Sequence, residues 1–245
     1  MRIAITRAVS PEIGRCELSY IERRPIDLLR AAAQHDQYER RLAAHGCTIV
    51  HVADAPGMAD AVFVEDAAVV LEDEAIITRP GAESRRGETS SVASVLKRYR
   101  KLRFVEVPAT LDGGDVLAID GKLYIGISQR TNDAAVEQLK AIEVRFRNCL
   151  HLKSAVTQVD ARTLLVNPEW VDASQFRRFD VIAVDEQEPF AANALRIGDV
   201  LLYSSSYPRT RRLLERRGFH VETLDLDELE KAEAGVTCCS LIFSE

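Results

Sequence analysis

The sequence predicts an α/β fold built as a ring of similar modules. The first observation is a recurring order of elements, in which a β-hairpin, a helix and a strand follow one another about five times along the chain. The second is that helices lie between the short strands, which argues against an all-β propeller. The third is that the strand near the C-terminus has only the N-terminal strand left to join, so the modules close on themselves.

The first elements follow from the spacing of apolar side chains. Residues 2–6 alternate as a strand does. Residues 27–45 place apolar and aromatic side chains at helical spacing. Gly46 suits the position just past a helix end, where a positive φ is needed. The next predicted strand is 47–52.

The remaining elements repeat this order. The turn Asp120-Gly121 is a strong hairpin signal, and further hairpins turn at residues 160–162 and at Gly198-Asp199. No linker rich in Pro, Gly or Ser interrupts the pattern, so we predict one domain over residues 1–245. The elements predicted after residue 52 are, in chain order, strands at 67–71 and 75–78, a helix at 87–99, strands at 103–107, 115–119 and 123–126, a helix at 132–142, strands at 155–159, 163–166, 194–197 and 200–203, a helix at 210–217, and strands at 220–224 and 239–243.

Composition and charge exclude several classes of protein. The net charge is −6 and no Lys/Arg run forms a basic stripe, which argues against nucleic-acid binding. No apolar run reaches membrane-spanning length and the N-terminus lacks a signal-peptide core, so we predict a cytoplasmic protein without a membrane partner. The five cysteines are irregularly spaced, as free thiols are. The sequence has no CxxC, HExxH, GxGxxG or P-loop pattern, so neither a metal nor a nucleotide cofactor is predicted.

Polar clusters precede the first strands of several modules. In a ring of modules, such strand ends converge on a central channel, so we expect these side chains to meet. Singly, each has a structural explanation, as a turn, a cap or a core histidine. Together, a cysteine, a histidine and carboxylates suit nucleophilic attack on a cationic carbon: the thiolate attacks, the imidazole moves protons and the acids hold the cation. The clusters are Asp60, Glu65 and Asp66 in DAVFVEDAAVV, Asp112 and Asp115 in TLDGGDVL, His151 in LHLKSAVT, and Cys238 and Cys239 in VTCCSL.

Six stretches carry a resemblance to a known family. They are FVEDAAVV, IITRPGAESRRGE, LDGGDVL, GISQRTN, HLKS and TCCS, and they occur in the family's order. The chain resembles the dimethylarginine dimethylaminohydrolase family of the guanidine-modifying (amidinotransferase) superfamily. The resemblance implies a five-bladed α/β propeller with pseudo-fivefold symmetry. It also implies hydrolysis of asymmetric dimethylarginine and monomethylarginine to L-citrulline and an amine, through a covalent thiouronium intermediate and without a cofactor. The implied partner is a small-molecule substrate, bound by a monomer or homodimer.

The resemblance assigns the chemical roles residue by residue. Cys238 matches the nucleophile, whereas Cys239 matches a small apolar strand residue. His151 matches the general acid and base, and Asp112 matches the acid that orients it. Glu65 and Asp66 match the acids that bind the guanidinium. By holding that charge beside Cys238, they favour its thiolate; a free Cys has a pKa of about 8.5.

The same comparison assigns the substrate's amino-acid end. Arg85 and Arg130 match the pair that grips the carboxylate, which a guanidinium fork suits. Asp60, with the backbone carbonyls of Leu18 and Ala232, matches the group that holds the α-amino end.

Two departures from the family pattern affect substrate choice more than chemistry. The loop GRCELSYIERRPID is unusually charged, and relatives tend to carry a larger apolar residue at Ala232 and an Asp at Glu233. One alternative is therefore an arginine deiminase or a hydrolase of another guanidino or ureido compound. An alternative of another class is a non-catalytic sensor that binds arginine analogues. A low-pKa Cys238 that reacts with thiol reagents faster than Cys47 or Cys149 would favour an enzyme.

Overall fold

Fifteen strands form five separate three-stranded sheets in the computed structural model, which describes all 245 residues. In every sheet the middle strand pairs antiparallel with one neighbour and parallel with the other. The strands are β1 (Arg2–Thr6), β2 (Cys47–His51), β3 (Ala68–Val70), β4 (Glu74–Ile77), β5 (Lys101–Phe104), β6 (Val116–Ile119), β7 (Lys122–Ile127), β8 (Ile142–Arg145), β9 (Val156–Gln158), β10 (Thr163–Val166), β11 (Asp180–Ala183), β12 (Ala194–Ile197), β13 (Val200–Ser204), β14 (His220–Leu224) and β15 (Leu241–Ser244).

Six α-helices and five short 3-10 turns connect the strands. The longest begins after Asp27, whose side chain accepts a hydrogen bond from the Arg30 amide at 3.1 Å and so caps the first turn. None of the helices is long and apolar enough to cross a membrane. The α-helices are α1 (Leu28–Ala44), α2 (Thr89–Leu96), α3 (Asp133–Leu139), α4 (Leu152–Ala155), α5 (Pro208–Arg216) and α6 (Asp227–Glu230), and the 3-10 turns are Ile13–Arg15, Val64–Ala67, Glu83–Glu88, Gly113–Asp115 and Ala173–Phe176.

The five sheets close into a ring. The first sheet has the order β15-β1-β2, so strands from opposite ends of the chain complete it, with Arg2 opposite Ser244 and Ile5 opposite Leu241. Five buried apolar clusters form the core, and each joins residues of two neighbouring sheets. Burial of these side chains is the main favourable contribution to folding. The predicted α/β ring is therefore confirmed.

Several predicted boundaries were wrong. The helix predicted at 132–142 ends at Leu139, because Lys140 adopts a left-handed φ of 53°. Strands β8 and β11 were not predicted, since three of the four residues in each are exposed and the apolar alternation is weak. The final strand begins at Leu241 rather than at residue 239, which places Cys238 and Cys239 in a turn before it.

Candidate active site

Short turns at the inner ends of the modules meet at the centre of the ring. The 3-10 turn Val64–Ala67 contacts the 3-10 turn Gly113–Asp115. The Glu65 amide donates to the Cys238 carbonyl at 3.2 Å, and the Gly114 amide donates to Asp66 Oδ1 at 3.0 Å. Side chains that are far apart in sequence are thereby brought into one buried site, as the ring predicted.

His151 and Asp112 form a hydrogen-bonded pair. His151 Nε2 lies 3.1 Å from Asp112 Oδ2, and both side chains are buried. The other oxygen of Asp112 accepts a hydrogen bond from the Gly81 amide at 3.0 Å, and the Asp112 amide donates to Thr131 Oγ1 at 3.1 Å. Asp112 is thus fixed from two sides and orients the imidazole, the arrangement expected of a histidine that transfers protons.

The acids around His151 stabilise its protonated form. Burial by itself would lower the pKa of His151, but Asp66, Asp115 and Asp112 raise that pKa to about 9. Asp66 Oδ1 lies 3.7 Å from His151 Nδ1. Burial alone would raise the pKa of Asp66, but His151 and Arg85 lower it to about 2. At neutral pH the site therefore holds an imidazolium beside an ionised carboxylate.

Asp115 fixes the backbone that carries His151, a role that sequence reasoning missed. Its carboxylate accepts hydrogen bonds from Ser128 Oγ at 2.7 Å, Thr131 Oγ1 at 2.7 Å and the Leu152 amide at 2.9 Å. Burial raises the pKa of Asp115 to about 6. The sequence signal for this role was the second acid of LDGGD. A carboxylate next to apolar residues is expected to be buried, and a buried carboxylate needs several hydrogen-bond donors.

The two glycines of LDGGD allow the inner turns to touch. A Cβ on Gly113 would lie 2.0 Å from the Glu65 carbonyl oxygen. A Cβ on Gly114 would lie 2.7 Å from His151 Nδ1 and 2.8 Å from Asp66 Oδ1. Both positions require the absence of a side chain, so the pair is more than the tight turn that its composition alone suggested.

Cys238 lies at the edge of this cluster as a neutral thiol. The Gly235 amide donates to its sulfur at 3.3 Å. Burial raises the pKa of Cys238, and Glu65 and Asp66 raise it further because they repel a thiolate. The thiolate that the resemblance ties to a bound guanidinium is therefore not favoured in the protein by itself. Burial also raises the pKa values of Cys47 and Cys149, so thiol labelling of the protein alone does not single out a nucleophile.

Cys239 is buried next to Cys238 but belongs to the core. It packs in the apolar cluster between the first and last sheets, together with Tyr38 and Leu42. Burial raises its pKa well above the ordinary value. These surroundings suit a small apolar side chain.

Glu65 is held by a cation that was not predicted. Lys153 Nζ lies 2.7 Å from Glu65 Oε1, and Thr237 Oγ1 donates to Glu65 Oε2 at 2.7 Å. Asn193 in turn donates to Thr237 Oγ1 at 3.0 Å. Lys153 lies in the HLKS stretch, two residues after His151, and this position was the sequence signal that it lies near the site. The bonds from Lys153 and Thr237 hold the carboxylate of Glu65 in one orientation.

The Arg85 guanidinium lies in a buried network. It donates to Asp66 Oδ2 at 2.5 Å, to Glu88 Oε2 at 2.9 Å and to the carbonyl oxygens of Asp60 and Phe63 at 3.2 and 3.3 Å. Contact with a substrate carboxylate would require one of these donors to change its partner. That role for Arg85 stays a prediction, and in this structure Arg85 orients Asp66.

Arg130 differs from Arg85 in being free to bind an external anion. The residue is only 7% exposed, and its amide donates to Ser128 Oγ at 2.9 Å. Its guanidinium makes neither a hydrogen bond nor an ion pair within the chain. A confined guanidinium without a protein partner is suited to a ligand carboxylate.

The residues predicted for the α-amino end lie around one loop. Asp60 is buried and accepts the Glu17 amide with both carboxylate oxygens, each at 3.2 Å. Leu18 follows in the same loop and packs against the core, and Ala232 is buried on the facing turn. The structure therefore brings these three positions to one side of the site.

One group of side chains has the spacing of a metal site. Ligand atoms of Asp66, Asp112 and His151 lie within 4.8 Å of one another, and all three are buried. Asp66 is also bonded to Arg85, and Asp112 to the Gly81 amide. These bonds account for the three side chains as an acid–base set.

Known proteins resemble the chain over nearly its full length. A family model described as "N,N dimethylarginine dimethylhydrolase, eukaryotic" matches residues 21–241. The N(G),N(G)-dimethylarginine dimethylaminohydrolase of Streptomyces coelicolor is 40% identical over 253 aligned positions, covering 99% of this chain and 97% of that protein. The enzyme of the same name from Pseudomonas aeruginosa is 36% identical over 228 positions, covering 89% and 90%. A solved structure of a Pseudomonas aeruginosa DDAH mutant with citrulline superimposes with a TM-score of 0.90, at 33% identity and 98% coverage of both chains.

Proposed function

The chain belongs to the dimethylarginine dimethylaminohydrolase family, and we propose that it hydrolyses Nω-methylated L-arginine to L-citrulline and dimethylamine or methylamine. The observation that carries the proposal is the convergence of His151–Asp112, Glu65–Asp66 and Cys238 at the centre of the ring. A nucleophile, a proton donor and two anions in one buried site are what attack on a guanidinium carbon requires.

Substrate binding activates the nucleophile in this proposal. Glu65 and Asp66 raise the pKa of Cys238, so the thiol is neutral before substrate arrives. A guanidinium bound between the two carboxylates cancels their negative field. The thiol then ionises beside the carbon that it attacks and its proton leaves to solvent, which keeps the reactive thiolate confined to occupied sites.

In the first half of the reaction, the Cys238 sulfur replaces the methylated amine on the guanidinium carbon. The Cys238 thiolate forms a bond to the guanidinium carbon. The His151 imidazolium gives its proton to the methylated nitrogen, the carbon–nitrogen bond breaks and the neutral amine leaves. A cationic S-alkylthiouronium remains on Cys238. The high pKa of His151 keeps its proton available for this step at neutral pH.

The second half reverses the role of the histidine. His151, now neutral, takes a proton from water while the oxygen adds to the thiouronium carbon. The carbon–sulfur bond then breaks, the added hydroxyl group gives its proton to the leaving sulfur, and L-citrulline and the Cys238 thiol are formed. Asp112 holds the imidazole in place through both halves because its second oxygen is fixed by the Gly81 amide.

The substrate's amino-acid end is held away from the reacting carbon. We assign its carboxylate to Arg130, whose guanidinium has no partner within the chain, with Arg85 as the second arginine. We assign its α-amino group to Asp60 and the carbonyls of Leu18 and Ala232. Cytoplasmic location and a monomeric or homodimeric state stay predictions.

Citrulline formation tests the proposal directly. The purified protein is incubated separately with asymmetric dimethylarginine, monomethylarginine and arginine. Turnover of the methylated substrates in preference to arginine is expected. Turnover of arginine alone would assign a deiminase, and no turnover of any of the three would contradict the proposal.

Two variants and one control test the assigned roles. Cys238→Ser and His151→Ala should lower turnover by at least about 10³-fold with the fold intact, as loss of a nucleophile or its proton donor does. Cys239→Ala is the control, because Cys239 packs in the core and should keep most of the activity. Wild-type turnover by Cys238→Ser would remove Cys238 from the mechanism.

A further inference from the structure

The loop between the 3-10 turn Ile13–Arg15 and helix α1 is tied to the site by a residue on the nucleophile's turn. Glu233 Oε2 accepts the Ser19 amide at 2.8 Å, and Glu233 Oε1 accepts the Tyr20 amide at 2.7 Å. The partners are more than two hundred residues apart in sequence. One carboxylate therefore binds two consecutive amide groups of the loop. We call these two hydrogen bonds the clasp.

Glu233 has an unusual backbone conformation. Its φ is +58°, in the left-handed region that non-glycine residues rarely adopt. It follows Ala232, which is buried, and precedes Gly235, whose amide donates to Cys238 Sγ at 3.3 Å. The same short turn thus supports the nucleophile and the clasp, and backbone strain of this kind concentrates at functional sites.

The clasp determines where the Leu18 carbonyl points. The Leu18 carbonyl and the Ser19 amide belong to one planar trans peptide group, so their directions are opposite and fixed relative to each other. Because Glu233 holds the Ser19 N–H, it also sets the direction of the Leu18 carbonyl. That carbonyl is one of the groups assigned above to the substrate's α-amino nitrogen.

We propose that Glu233 is a positioning residue that makes the enzyme selective for α-amino acids. It holds residues 18–20 so that the Leu18 carbonyl accepts the substrate's ammonium group. The proposal rests on the proposed function, because it assigns a second contribution to the recognition of the same substrate.

Other contacts of the loop do not replace the clasp. Arg23 donates to the carbonyl oxygens of Gly14 and Cys16 at 2.7 and 2.6 Å, and Asp60 accepts the Glu17 amide at 3.2 Å, but none of these bonds reaches residues 19 and 20. A cavity of about 430 Å³ lies behind the loop, with Glu22 and Glu233 among its lining residues. Residues 19 and 20 are themselves exposed, and the hydrogen bonds that hold them are the two to Glu233.

Glu233→Gln is the matched variant. A glutamine keeps the size of the side chain but offers one acceptor oxygen, so one of the two amides loses its partner. Glu22→Gln is the control, because Glu22 is exposed, makes no hydrogen bond within the chain and lines the same cavity. It removes a nearby negative charge and leaves the clasp intact.

The kinetic test compares two substrates that differ only in the α-amino group. These are asymmetric dimethylarginine and its des-amino analogue, a dimethylguanidino pentanoate. Glu233→Gln should lower kcat/KM for dimethylarginine about tenfold, mainly through KM, as expected for loss of one charge-assisted hydrogen bond. It should change kcat/KM for the des-amino analogue less than about twofold, since that analogue has no ammonium group. An equal fall with both substrates, or the same pattern in Glu22→Gln, would overturn the proposal.

A second measurement needs no turnover. Hydrogen exchange of the Ser19 and Tyr20 amides should be slow in the wild type and in Glu22→Gln, and for at least one of the two amides it should be at least about tenfold faster in Glu233→Gln. Unchanged exchange in Glu233→Gln would refute the clasp. A wild type that turns over no methylarginine contradicts the proposed function alone, because the exchange experiment still tests the clasp.

Discussion

Substitution of Gly114 by alanine should disable the site without unfolding the protein. The φ of Gly114 is not in the left-handed region, so alanine introduces no backbone strain and its effect is steric. Its Cβ would lie 2.7 Å from His151 Nδ1 and 2.8 Å from Asp66 Oδ1. An ordinary contact begins at 3.4 Å, so the imidazole must retreat by about 0.7 Å. Such a shift moves His151 relative to Asp112 and to the carbon that Cys238 attacks.

The size of the effect follows from that displacement. A misplacement of about 1 Å at a reacting group can cost about 10²-fold in rate, so we expect kcat/KM for asymmetric dimethylarginine to fall by about 10²-fold. Overpacking costs about 1–3 kcal/mol of the free energy of unfolding, which lowers Tm by about 2–12 °C in a chain of this size.

Citrulline formation and thermal unfolding are measured together for this variant. Gly14→Ala is the control, because a Cβ at Gly14 meets no atom within 4 Å and its φ is also outside the left-handed region. It should match the wild type in both measurements. A folded Gly114→Ala variant with kcat/KM within about threefold of the wild type would refute the assigned position of His151 in the mechanism.

Two further predictions concern the charges of the site. Because the pKa of His151 is raised to about 9, its proton is present below that pH, and a profile of kcat/KM against pH should decline as pH rises through about 9. Asp112→Asn removes an acid that raises this pKa, so its decline should begin at lower pH; an unmoved profile would show that another group titrates. Lys153→Met leaves Glu65 without its cation and removes a charge that lowers the pKa of Cys238, so kcat/KM should fall about tenfold, whereas Lys153→Arg should keep most activity. Equal activity of the Met and Arg variants would show that the charge of Lys153 is not required.

The sequence predicted the modules well because four of the five antiparallel pairs are hairpins of consecutive strands. Hairpin turns and apolar alternation lie within a dozen residues, and only the exposed strands β8 and β11 lacked that signal. The convergence of Cys238, His151 and Asp112 followed from the ring, since several modules deliver their inner turns to the same centre.

Other features of the site depend on three-dimensional contacts that periodicity does not encode. The pKa of Cys238 is raised by its burial and by Glu65 and Asp66, and neither effect follows from the order of residues along the chain. The ion pairs of Arg85 with Asp66 and Glu88 could likewise not be predicted. A sequence motif identifies a residue but not the side chains that it contacts.

The closing of the ring by β1 and β15 has a consequence for folding. The turn that carries Cys238 directly precedes β15, and the pairing of β15 with β1 joins residues from opposite ends of the chain. Contacts so distant in sequence carry a large loop-closure entropy and form slowly. Until these contacts form, Cys238 is not held beside the carboxylates of Glu65 and Asp66 or near the imidazole of His151. The onset of turnover during refolding therefore reports when the ring closes, and an incompletely folded chain has no catalytic activity.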